Sequence, residues 1–160
     1  MPEVESALPF TVDGFQQLLD RRGDPDWVVE ARREAWAAFE AMEWPSRTSE
    51  EWMRTDLRLF HLDRFQLDAG EEPPETPPSV LNQGVDVGGQ AISWNGATHS
   101  EWVSEDLAAK GVVFCSLNRA VQEHSELVRP YLMNRAFESR YDRFAACLLY
   151  TSDAADEKVR

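Results

Sequence analysis

Three histidines (His61, His99, His124) and two cysteines (Cys115, Cys147) are the side chains that could ligate a metal or attack an electrophile. They are scattered along the chain. Neither cysteine has a CxxC partner, and a metal site needs several ligands at converging spacing. His124 falls on an apolar helix face, where a hydrogen-bonded boundary histidine is the favoured reading over a ligand. Cys115 follows Val112-Val113-Phe114, and the four together read as a short buried strand. A thiol in such a place is a small inert hydrophobe rather than a nucleophile. Two cysteines make no disulfide framework. The chain holds no GxSxG, P-loop or GxGxxG, and Gly88-Gly89 reads as a turn rather than a phosphate cradle. Glu71 and Glu72 sit in a solvated run that gives a catalytic acid pair little support. The one unusual count is six tryptophans, Trp27, Trp36, Trp44, Trp52, Trp94 and Trp102. Spread over several elements, they read as core and interface anchors, with a ligand-stacking platform as the alternative. These residues predict no catalytic, cofactor-binding or metal site, and no enzyme.

The elements that carry them belong to a chain of 160 residues with 16 Lys+Arg against 29 Asp+Glu, a net charge of −13. That length suits one ordinary domain, or a small domain plus a fragment of another, and 42% hydrophobic residues supply a core. The acidic balance argues against binding nucleic acid or an anionic membrane, since phosphate neutralisation needs clustered Lys and Arg. No run of about 18 apolar residues is present to span a bilayer. Met1-Pro2-Glu3-Val4-Glu5 is acidic where a secretory signal is basic. A soluble, reduced, cytoplasmic protein is the expectation.

Thr11 caps a first helix with Phe15, Leu18 and Leu19 on one face, and Gly23 closes it. Asp24-Pro25 opens a second helix near residues 25–43, with Asp24 as cap and Pro25 at the first helical position. Val28, Ala31, Ala35, Phe39 and Met42 form its inward stripe, while Glu30, Arg33, Glu34 and Glu40 lie opposite. Pro45 ends it. Residues 46–67 show no clean period and predict short turns pinned by large side chains. Residues 68–79, DAGEEPPETPPS, hold four prolines and three glutamates and read as an exposed linker. Beyond it, Val85–Val87 and Gln90–Trp94 alternate about Gly88-Gly89 as a hairpin, and Asn95-Gly96 is a second turn signal. Ser104 starts a short helix that Gly111 terminates, Ser116 caps the next, Ser125 restarts it, and Pro130 interrupts. Ser139–Ala146 is a last helix. The boundaries are a helical region over 1–67, the linker 68–79, a mixed α/β segment over 80–146 and a tail over 147–160. The fold class is α+β, mainly α.

Several blocks resemble one family in order and separation. Asp24-Pro25-Asp26-Trp27, then Ala31-Arg32-Arg33-Glu34-Ala35-Trp36, then WPSRTSEEWMRTDL over residues 44–57, are similar to the N-terminal helical region of the SufB/SufD family of the SUF iron–sulfur assembly system. Leu107–Phe114 and Ala120–Leu132 are similar to that family's next segment, and Arg143-Phe144-Ala145-Ala146 to its entry into the main body. WPSRTSEEWMRTDL looks more like SufD than its sister SufB. The resemblance implies a scaffold rather than a catalyst, with short strands and helices leading to a right-handed β-helix that this sequence does not reach. It implies SufB-like and SufC-like (ATPase) partners for the full-length protein, and an iron–sulfur cluster handled by the assembled complex rather than held by this segment. A free-standing acidic helical interaction module and a Trp-lined small-molecule domain are the alternatives. After Ala146 the string CLLYTSDAADE looks like a frame translation of a transposon-type sequencing adapter. Residues 147–160 are therefore expected to be an assembly artefact that adds nothing to the core.

Overall fold

In the computed structural model, residues 8–68, 84–94, 97–132 and 138–151 are described. Strand β1 (Leu8–Pro9) leads into α1 (Val12–Arg22). Thr11 is extended at the N-cap and its Oγ accepts from the Gly14 N–H at 3.1 Å, satisfying one of the helix's orphan donors. Gly23, at φ 58°, takes the left-handed conformation that ends the helix and that a Cβ would disfavour. Phe15, Leu18 and Leu19 face inward, as their spacing predicts.

The second helix, α2, spans Asp26–Ala41. Pro25 is its N-cap, and its carbonyl accepts from the Val28 and Val29 N–H groups. Asp24 is therefore not the cap expected from the sequence. Its carboxylate turns inward instead and accepts from Arg32 Nε at 2.8 Å, with both side chains buried. Val28, Ala35 and Phe39 are buried and Glu34 and Glu40 exposed, as the stripe predicts. Ala31 and Met42 are only half-buried, and Arg32 and Trp36 complete the inward face.

Residues 47–54 form turns, followed by single 3-10 turns at Leu57–Leu59 and Leu62–Arg64. Strand β2 (Gln66–Asp68) then pairs antiparallel with β1. Asp68 thus belongs to a strand rather than to the expected linker, whose other residues lie outside the described ones. The hairpin is displaced from its expected place. Strand β3 (Gly89–Trp94) pairs antiparallel with β4 (Ala97–Val103), from Gly89 opposite Val103 to Trp94 opposite Ala97, with a bulge at Ile92/Ser93. Gly88-Gly89 therefore stands at the open end of the ladder, and Val85–Val87 is not in a strand.

Helix α3 (Glu105–Ala109) follows, and Gly111 at φ 82° turns the chain after it. Residues 112–114 are not the buried strand expected from their apolar run; they are irregular, with Val112, Val113 and Phe114 43–48% exposed. Ser116 caps α4 (Leu117–Glu123), and α5 (Ser125–Val128) ends before Pro130. The last helix, α6 (Arg143–Thr151), starts later and runs further than the expected Ser139–Ala146. The described residues thus hold six helices and two small antiparallel sheets, an α+β arrangement.

Two cores meet at α2. The larger gathers Leu8, Phe15, Leu18, Trp36, Phe39 and Leu67 against Ala146, Leu149 and Tyr150 of α6. Tyr150 is fully buried, with its ring edge-on to Phe15, Trp36 and Phe39 at centroid distances of 5.7, 4.8 and 5.2 Å. Residues 149–150 therefore do add to the core, contrary to expectation, because the register of α6 on α2 turns both side chains inward. The smaller core joins Val28 to Val121 and Leu132.

Candidate functional site

The fold keeps the chemistry-bearing residues apart. His61 and His99 are exposed, on the approach to the second 3-10 turn and on β4. His124 is the half-buried C-cap of α4, and its N–H donates to the Ala120 carbonyl at 2.8 Å. Cys115 and Cys147 are free, half-buried thiols. Burial pushes both thiols above their ordinary range, with the Glu101 charge adding to the effect at Cys115. A raised thiol carries less thiolate, the opposite of an activated nucleophile. Among the described residues, no three His, Cys, Asp or Glu side chains gather as a metal group would require. Glu71 and Glu72 lie outside the described residues. Trp94 and Trp102 stand at opposite ends of the β3–β4 ladder, so they do not converge on one ligand.

Other groupings were not foreseen. Arg143 opens α6 with its guanidinium carbon 4.3 Å from the Phe39 ring centre and 4.6 Å from that of Trp44, a cation between two aromatic rings. Trp44 continues into Phe60 and Phe144 at 5.6 and 5.2 Å, and Trp52 stacks on Phe144 at 4.8 Å. This aromatic sequence pins the irregular 44–65 segment to α6, as the large side chains there predicted. Beside it lies a cleft of about 510 Å3, lined in part by Trp44, Pro45, Arg47, Phe60, His61 and Asp63. Near its mouth Arg58 forks onto Asp56, with Nε and a terminal nitrogen 2.9 and 2.7 Å from the two carboxylate oxygens. That guanidinium holds the Asp56 carboxyl well below the usual range. The cleft is open, and Arg58 in its wall is already engaged by Asp56.

A second surface forms where α3 folds over the open end of the hairpin. Leu107 lies over Gly88, and the Phe114 ring lies over Gly89, 3.4 Å from where a Cβ would stand. Trp102, opposite Gln90, stands on the other face of the ladder, its indole N–H directed at Gln90 Oε1 at 3.5 Å. Glu101, from the same strand, turns toward α4, accepting from the Ser116 N–H and pairing with Arg119 at 3.5 Å. The arrangement leaves the apolar side chains of residues 112–114 partly exposed.

No described helix is long and apolar enough to cross a membrane. The profile of a family described as SufBD protein N-terminal region matches residues 15–156 of the chain, a span that continues past Ala146 through α6. No solved structure matches the chain.

Proposed function

From the premise that this chain belongs to the SufB/SufD family, as part of its N-terminal region, we propose that it is a SufD-like scaffold element of the SUF iron–sulfur assembly system. The observation that carries this reading is the family match across residues 15–156. The block WPSRTSEEWMRTDL at residues 44–57 favours SufD over SufB. The structure gives that block a part to play, since its Trp44 and Trp52 anchor the turns to Arg143 and Phe144.

The scaffold works by holding surfaces, not by chemistry of its own. SufB-like and SufC-like subunits are its partners in this reading, and the iron–sulfur cluster is the cargo of the assembled complex in the cytoplasm. A chimera test separates the two branches of the family. Residues 8–156 would replace the corresponding region of SufD in one strain and of SufB in another, each lacking the native subunit. Growth under iron limitation is expected with the SufD chimera alone. Rescue by the SufB chimera alone would overturn the SufD assignment, and failure of both well-expressed chimeras would overturn the scaffold reading.

A further inference from the structure

The cleft beside Trp44 gathers aromatic and charged side chains of the irregular 44–65 segment into one lining. Its volume of about 510 Å3 falls in the range of small-ligand sites. Trp44 and Phe60 supply the aromatic part, their rings in edge contact at 5.6 Å. Trp44 is 36% exposed, yet its ring is held from several sides, by Arg143 over one face and by Phe39 and Phe144. A ring fixed in this way loses little freedom when a second ring lies against it. Because one cation already draws on its π-system, a planar ring suits this tryptophan better than a second cation.

The charged part of the lining is Arg47, Arg58 and one carboxylate, Asp63, with His61 beside them. Asp56 takes the Nε and one terminal nitrogen of Arg58 and so orients the guanidinium; the other terminal nitrogen has no hydrogen-bond partner among the described residues. Arg47 is exposed and makes no hydrogen bond or close ion pair among the described residues, although its charge is felt at Asp56. Counted with Asp56 and Asp63, the two arginines are balanced charge for charge, so the cleft is no trap for polyanions. A guanidinium nevertheless carries five donors, and several of these ten remain open to one small acceptor group.

We propose that this cleft binds a small molecule in which a planar ring is joined to one oxyanion group, the ring lying against Trp44 and Phe60 and the phosphate or carboxylate accepting from Arg47 and Arg58. Asp63, in the same lining, is the acceptor for a hydroxyl or N–H of the ligand, and its charge, with that of Asp56, turns away more highly charged competitors. A nucleoside monophosphate has this chemistry, and so has an aromatic acid. The proposal concerns a ligand rather than a partner subunit and holds whichever branch of the family the chain belongs to.

The test titrates the whole chain with adenosine 5′-monophosphate and with indole-3-acetate, and with adenosine and inorganic phosphate as separated halves of the first. The Trp44 indole and the amides of residues 44–63 are expected to shift with at least one of the two joined probes. Binding of the nucleotide alone identifies a phosphate ligand, and binding of indole-3-acetate alone a carboxylate. Adenosine and phosphate should each bind roughly tenfold or more weakly than the nucleotide if that is the probe bound, since joining them makes the second contact intramolecular. Arg47→Gln, at an exposed site, should weaken binding by roughly tenfold with the melting temperature unchanged, the size expected for a charge-assisted hydrogen bond. Asp56→Asn should strengthen it several-fold, because it releases Arg58 and removes a repelling charge. Arg33→Gln on the outer face of α2 should leave it unchanged. No shift with either joined probe, shifts centred elsewhere, a separated half that binds as tightly as the nucleotide, or equal weakening by Arg47→Gln and Arg33→Gln would each overturn the proposal.

Discussion

Two effects oppose each other at Gly14, in the first turn of α1. Helix propensity alone favours alanine there by up to about 1 kcal/mol. A Cβ, however, would stand far inside contact distance of the Pro9 carbonyl oxygen, a backbone atom that cannot swing aside. Sterics wins, and Gly14→Ala is expected to lower stability by about 1–3 kcal/mol in urea denaturation, as overpacking usually does. Arg32 is constrained in another way. Its guanidinium neutralises the buried Asp24 and also donates to the Tyr150 carbonyl at 3.0 Å. Arg32→Met strands a buried carboxylate and should cost about 3–5 kcal/mol, whereas adding Asp24→Leu should recover part of the loss. Asp56 gives a pH signature. Its carboxyl, held below the ordinary 3.8 by Arg58, contributes stability that is present above the unfolded-state value and lost as pH falls through the folded-state one. Carboxyl-carbon NMR should find Asp56 still ionised well below 3.8, and Arg58→Gln should return its titration toward that value.

Elements were legible where a local rule operates without competition. Thr11 and Gly23 bound α1, and Ser116 bounds α4, because a cap is decided by a few neighbouring atoms. Local signals failed where tertiary partners decide. Asp24 has the type and place of a cap, yet a buried arginine claims it. Strand β4 was invisible because Thr98, His99, Ser100 and Glu101 carry no apolar alternation; it exists by pairing with β3. Val112-Val113-Phe114 misleads in the opposite direction, since an apolar run signals burial and this one lies on the surface. The clearest element-scale test is α6. Tyr150→Ala removes the ring around which Phe15, Trp36 and Phe39 are arranged and should cost about 3–5 kcal/mol. Deleting residues 147–160 should lower the melting temperature at least as much, and an unchanged Tm would restore the expectation that they add nothing to the core.

Across the whole molecule, α2 is the member both cores share, contributing Ala35, Trp36 and Phe39 to one and Val28 to the other. Damage to it should therefore be felt on both sides. Phe39→Ala is expected to cost about 3–5 kcal/mol and to loosen amide protection in α4 as well as α6, by native-state hydrogen exchange. Protection lost in α6 alone would mean that the cores unfold separately. The same helix also steers the chain. Arg32 from α2 and Arg22 from α1 reach the carbonyl oxygens of Tyr150 and Thr151, at 3.0 and 3.4 Å, where the negative end of the α6 dipole lies. A peptide carbonyl is the same group in every residue, so this grip is blind to which side chains stand at 150 and 151. Mutational drift in that last turn can empty or refill the core, but the end of the helix is held by two guanidinium groups that never read its sequence.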